Sequence, residues 1–201
     1  MDKFFINTNK IESQPLYMDS FLYSTGLVAL AEIGDKTQLM SIILAARFKK
    51  PWPIIAGIFA ATLLNHGAAA WLGQLTAHLL TPDIMRYVLA ISFLGMAIWS
   101  LIPDKVDDDI DTKAKAGIFI TTFIAFFLAE MGDKTQIATI ALAAKYQDFV
   151  WVTMGTTLGM MIANVPAVLL GEKMAQKISV PLMHKIVAVL FFGLAIVTFF
   201  Y

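Results

Sequence analysis

The sequence predicts an all-α membrane protein, with six transmembrane helices arranged as two inverted-topology three-helix repeats. Three observations lead there. The 201 residues are 58% hydrophobic and 15% charged, with a mean hydropathy of +0.71, outside the range of soluble globular domains. Six apolar stretches match the roughly 20 residues a helix needs to cross a bilayer. The chain also resembles itself at an offset of 98 residues, the distance from Glu32 to Glu130.

Composition excludes several classes. Without cysteine there is no disulfide framework, thiolate metal site or thiol nucleophile, so any metal chemistry must use oxygen or imidazole. The formal net charge is +0 and the basic residues form no block, which leaves no electrostatic footprint for nucleic acid. The expected partners are membrane lipid and small cations.

Residues 1–20 read as a polar N-terminal tail that lacks the apolar core of a signal peptide. The first apolar stretch, 21–46, then serves as an uncleaved targeting signal. RFKKPWP punctuates it before the second span, 53–76, and LTPD separates that from the third, 84–102. The one long polar connection is 103–116, where Asp104, Asp107, Asp108, Asp109 and Asp111 lack the glycine and glutamate spacing of an EF-hand and read as a solvated linker. Spans 117–144, 149–171 and 182–201 follow, divided by KYQD and SVP. With no hydrophilic domain, the backbone must pair within helices, because lipid offers no partners.

The offset holds without a gap across both units, 21–102 and 117–201. It aligns Ala45 and Ala46 with Ala143 and Ala144, Gly57 with Gly155, Gly73 with Gly171, Met85 with Met183, Phe93 with Phe191, and Gly95 with Gly193. A register kept over three helices implies homologous halves. Three is odd, so the second half enters the membrane from the opposite face, around a pseudo-two-fold axis in the membrane plane. Nine basic residues (Arg47, Lys49, Lys50, Lys105, Lys113, Lys115, Lys173, Lys177, Lys185) flank the spans on one side, against four (Lys3, Lys10, Arg86, Lys145) on the other. That bias puts the 47–52, 103–116 and 172–181 loops in the cytoplasm and both termini outside.

Within this frame lies a doubled motif, AEIGDKTQ at 31–38 and AEMGDKTQ at 129–136. Glu32, Asp35, Glu130 and Asp133 fall at the centre of spans, where a charge costs about 2.5–3.5 kcal/mol, so function is the default explanation. Read as continuous helix, the spacing projects Glu32, Asp35 and Lys36 from one arc, and Glu130, Asp133 and Lys134 from another. The two-fold axis brings these arcs together. The candidate ligands are the four acids, with Thr37, Gln38, Thr135 and Gln136 lining them and Lys36 and Lys134 as internal counter-ions. An all-oxygen site suits Ca²⁺, Mn²⁺ or Mg²⁺. Four carboxylates and two ammonium groups leave −2, which one divalent ion neutralises; without it, like charges in low dielectric take up protons. Metal and proton become alternative occupants, as a cation/proton antiporter requires. Gly34 and Gly132 provide either a close helix approach or a local break that frees carbonyl oxygens.

Weaker signals surround the motif. Asn65, His66 and Asn164 are possible further ligands, although interhelical hydrogen bonding is the commoner role of such residues. His78 and His184 lie at span ends, where an interfacial imidazole is ordinary. The eleven methionines are scattered and read as packing or lipid-facing residues. Gly57 with Ala61, and Gly155 with Gly159, have the spacing of close helix packing. The rival readings are a passive divalent-cation channel and a non-transporting scaffold with buried ion pairs. An enzyme is not expected, since no His or Ser nucleophile accompanies the paired acids.

The repeated Glu32-Ile33-Gly34-Asp35-Lys36-Thr37 and Glu130-Met131-Gly132-Asp133-Lys134-Thr135 closely resemble the signature of the membrane family once called uncharacterised protein family sixteen. That family includes bacterial manganese exporters of the MneA type and Golgi and chloroplast proteins of manganese and calcium homeostasis. The resemblance runs from Phe21 onward. It implies a secondary transporter in the bacterial inner membrane that exports Mn²⁺, with Ca²⁺ as a second cargo, in exchange for H⁺. The motif acids are then the cation site, and no cofactor is needed beyond the transported ions.

Overall fold

A computed structural model describes the chain over residues 9–77, 79, 81–102, 117–170 and 180–200. The acidic linker 103–116, residues 1–8 of the tail, Lys173, Lys177, His78 and the side chain of His184 lie outside the described residues. Eight helices form the described chain, without a strand: α1 (Asn9–Glu32), α2 (Lys36–Phe48), α3 (Pro51–Ala77), α4 (Pro82–Trp99), α5 (Ile118–Glu130), α6 (Lys134–Tyr146), α7 (Phe149–Leu170) and α8 (Val180–Phe200). By length and composition α3 and α7 are able to cross a membrane.

Two expectations change. The first helix begins at Asn9, so residues 9–20, more than half of the expected polar tail, are helical. The stretches 21–46 and 117–144 are each a pair of helices, interrupted at the motif. The interruption has local causes in both copies. Gly34 and Gly132 adopt φ of 86° and 77°, a region that glycine enters without a Cβ clash. Asp35 and Asp133 then take extended N-cap geometry at the start of the next helix. The far ends of α2 and α6 also match. Lys49 and Gln147 stop them in the left-handed conformation, their N–H groups returning to the carbonyls of Ala45 and Ala143 at 2.9 Å.

Packing follows the 98-residue repeat. The broad contact of α1 with α7 has its counterpart in α5 with α3, and α6 against α3 has its counterpart in α2 against α7. Small residues make this closeness possible, since lipid-embedded helices associate by van der Waals fit. A Cβ on Gly57 would come within 2.8 Å of the Phe119 carbonyl oxygen, and one on Gly155 within 2.6 Å of that of Phe21, its equivalent. Gly159 presses on α1 in the same way, at 2.6 Å from the Thr25 oxygen. The small-residue spacing therefore serves packing between these helices, as expected.

Helices α4 and α8 form a separate pair, joined where Phe93 stacks on Phe191 at 6.4 Å. Their core side chains, with Val187 and Ala195, rest on Ala31 of α1 and on Ala138, Ala141 and Ala144 of α6. Among the described residues they make no comparable packing with α2 and α5. Among the described residues, α4 and α8 thus cover the motif on the α1–α6 side and not on the α2–α5 side.

Candidate functional site

Because each motif straddles a break, Glu32 closes α1 while Asp35 opens α2, and Glu130 closes α5 while Asp133 opens α6. Glu, Asp and Lys of one copy therefore do not share a continuous helical arc, contrary to the spacing argument. Four helix ends meet instead, bringing N–H groups and carbonyls that lack intrahelical partners. Of the two roles open to the glycines, the break is the one observed: a Cβ on Gly132 would meet open space, not a neighbouring helix.

Hydrogen bonds hold both breaks alike. Gly34 N–H donates to Gln38 Oε1 at 2.9 Å and Gly132 N–H to Gln136 Oε1 at 2.7 Å. Asp35 N–H donates to the Glu32 carbonyl at 3.1 Å, and Asp133 N–H to that of Glu130 at 3.2 Å. The Thr37 hydroxyl donates to Glu32 Oε2 at 2.7 Å, matched by Thr135 to Glu130 Oε2 at 3.2 Å. These bonds fix one oxygen of each Glu. The other, Oε1, is buried without a hydrogen-bond donor in both copies.

The lysines cross between copies. Lys134 Nζ lies 2.7 Å from Asp35 Oδ2, and Lys36 Nζ lies 3.5 Å from Asp133 Oδ1. Each ammonium thus serves the aspartate of the opposite half. All four acids are 0–1% exposed, and one oxygen from each of Glu32, Asp35 and Asp133 falls within 4.8 Å of the others. Glu130 stands outside that trio, although it is equally buried. An acid group of this spacing, enclosed and only partly compensated by lysine, is what a divalent cation would require.

Of the expected additional ligands, Asn164 and Asn65 are engaged in helix packing, while His66 is buried in α3 with neither ring nitrogen hydrogen-bonded. Asn164 accepts from Ser41 of α2 at 2.8 Å and donates to the Met160 carbonyl at 3.1 Å, while Asn65 donates to the Phe127 carbonyl of α5 at 3.0 Å. The second bond occupies a carbonyl in the last turn of α5, which the break deprives of its helical donor. Gln38 likewise donates to the Ala163 carbonyl at 3.0 Å. Sequence reasoning missed Ser41 and Ser100. Ser100 and Val187 close a small cleft with Ala31, Ile33, Asp35 and Lys134. Only the 98-residue alignment of Ser41 with Thr139 hinted at a shared role, and nothing singled out Ser100.

Broken helices that meet at buried acids inside an apolar bundle define a membrane transport protein. The chain belongs to the family described as "Divalent cation/proton antiporter GDT1", which it matches over residues 20–108 and 118–201, as the resemblance of the doubled motif implied. It is a transporter and not an enzyme. A Vibrio cholerae serotype O1 protein named "Putative manganese exporter" is 55% identical over 185 residues, covering 92% of each chain. A GDT1-like protein of Synechocystis is 31% identical over 196 residues, covering 86% of this chain and 92% of its own. "GDT1-like protein 4" of Oryza sativa subsp. indica is 28% identical, covering 91% and 74%. No solved structure matches the chain.

Proposed function

We propose that the protein exports Mn²⁺ from the bacterial cytoplasm across the inner membrane in exchange for H⁺, with Ca²⁺ as a second cargo. Glu32, Asp35, Glu130 and Asp133 bind the cation in one state and protons in the other. Lys36, Lys134, Thr37, Thr135, Gln38 and Gln136 hold them in place. The observation that carries this reading is the meeting of acids from both motif copies, with one undonated oxygen on each Glu, at four helix ends. Rigid anchoring of Glu Oε2 by Thr leaves Oε1 for whichever cation arrives.

The broken pairs α1–α2 and α5–α6 each count as one span, which with α3, α4, α7 and α8 makes six. The repeated contacts support two halves related by an axis in the membrane plane, with both termini outside. Under this arrangement α1 and α6 lie in the outer half of the membrane and α2 and α5 in the inner half. The cover of α4 and α8 on α1 and α6 then corresponds to a cytoplasm-facing state.

Proteoliposomes of the purified protein test this reading. An imposed pH gradient should drive radiolabelled Mn²⁺ uphill, Ca²⁺ should compete, and protons should leave the protein as metal binds. Mere equilibration would identify a channel, and the absence of any movement would leave the acids a structural role.

A further inference from the structure

The two-fold relation fails at a group of neighbouring buried positions. On α7, Asn164 and Met160 stand one turn apart and satisfy each other: the Asn164 amide donates to the Met160 carbonyl and lies 3.1 Å from its sulfur, while its oxygen accepts from Ser41. Their equivalents on α3 are His66 and Thr62, four residues apart and so on one helix face. Both are 0% exposed, and Thr62 Oγ1, His66 Nδ1 and His66 Nε2 have no hydrogen-bond partner. Thr139, which corresponds to Ser41, turns its hydroxyl to the Thr135 carbonyl at 2.7 Å and away from this role.

An imidazole enclosed without partners is costly, and a native structure retains such a group for a reason. Its place suggests one. Asn164 meets Ser41, one turn beyond Thr37 on α2, and α3 packs on α6 as α7 does on α2, so the 98-residue correspondence assigns His66 to the turn beyond Thr135, the residue that anchors Glu130. Resting on the transport reading above, we propose that His66, with Thr62, is the next ligand the cation meets after the motif acids. It would serve on the α6 side, through a neutral imidazole nitrogen. Oxygen ligands alone treat Mn²⁺ and Ca²⁺ similarly, whereas a nitrogen donor favours Mn²⁺ and offers little to Ca²⁺. His66 is then the residue that makes the transporter prefer manganese, and Asn164 is its structural counterpart without that property.

Transport of Mn²⁺ and Ca²⁺ by wild type, His66→Asn and His66→Gln in proteoliposomes provides one test. The Mn²⁺ preference should fall by about tenfold or more, as expected on losing a tuned metal contact, while Ca²⁺ transport is retained. Equal loss of both ions, or an unchanged ratio, overturns the proposal. A second readout needs no variant: pulsed electron paramagnetic resonance of Mn²⁺ bound to wild-type protein, recorded at acid and alkaline pH, should show ¹⁴N coupling in one of the two. That coupling should vanish in His66→Asn, which keeps the chain's other two histidines. No nitrogen coupling at either pH, or coupling that survives the substitution, also overturns it. If wild type moves neither ion, the transport reading fails, and the nitrogen signal still decides the ligand question separately.

Discussion

Lys134 meets Asp35 at 2.7 Å beneath Ser100 and Val187, and its side chain is 4% exposed; Lys36 meets Asp133 at 3.5 Å, and its side chain is 24% exposed. The two copies differ in sequence only at Ile33 and Met131, and they share the same break and the same Thr and Gln anchors. What differs is the cover, because α4 and α8 rest on α1 and α6 and leave α2 and α5. On the proposed function, like chemistry in unlike surroundings makes the placement of one helix pair, and not the ligands, what sets access to the site. On the proposed cycle, moving that pair to the α2–α5 side would exchange the surroundings of the two copies without altering either motif.

The comparison breaks most completely if the acids are dispensable. Glu32→Gln and Asp133→Asn, one in each copy, should each reduce gradient-driven Mn²⁺ uptake to that of empty vesicles, with the protein still inserted at normal yield. Wild-type uptake in either would remove that residue from the site. Next comes the unequal cover. Lys134→Met strands a buried aspartate and should lower stability by about 3–5 kcal/mol. Lys36→Met strands the equally buried Asp133, but it removes a longer contact from a more open lysine and should lower stability less than Lys134→Met does. Equal losses in thermal unfolding of the detergent-solubilised variants would show that the asymmetry does not belong to the resting protein.

Packing, in contrast, is repeated, so its disruption should be symmetrical. Gly57→Ala and Gly155→Ala should each cost about 1–3 kcal/mol, as overpacking against a backbone carbonyl does. Gly26→Ala, whose Cβ would meet nothing, serves as the control. The smallest expected effect is in labelling. The chain has no cysteine, so Met131→Cys and Ile33→Cys offer single reporters at equivalent positions. Met131 is 55% exposed and Ile33 lines the covered cleft, so Met131→Cys should react a few-fold faster with a water-soluble thiol reagent. A reversed proton gradient should narrow the ratio; an unaltered ratio during turnover would argue against an exchange of cover.

Much of this was legible in the sequence, and the misreadings are instructive. Apolar length located α3 and α7, the helices long and apolar enough to cross a membrane, and the 98-residue offset located the equivalent contacts of Gly57 and Gly155. The break was one of two roles open to Gly34 and Gly132, and the same apolar length kept it from standing out. Gly34 followed by Asp35 is a helix stop followed by a helix cap, but inside a run long enough to cross a bilayer it was natural to read one helix. The crossing of Lys36 to Asp133 and Lys134 to Asp35 was not legible, because within one copy each lysine is adjacent in sequence to its own aspartate. Only three-dimensional placement separates those neighbours. Asn65 shows the same limit: its value as a ligand candidate faded once α5 was seen to end at Glu130 and leave the Phe127 carbonyl to be capped.

The crossed lysines also bear on how the chain is made. During synthesis Asp35 reaches the membrane almost a hundred residues before Lys134, the ammonium that lies 2.7 Å from it. Lys36 must likewise wait for Asp133. Each half therefore lacks one member of both crossed ion pairs until the other half is in place. A second copy of the same half, turned over, would supply both missing charges. The crossing pairs thus tie the folding of the first motif copy to the arrival of the second.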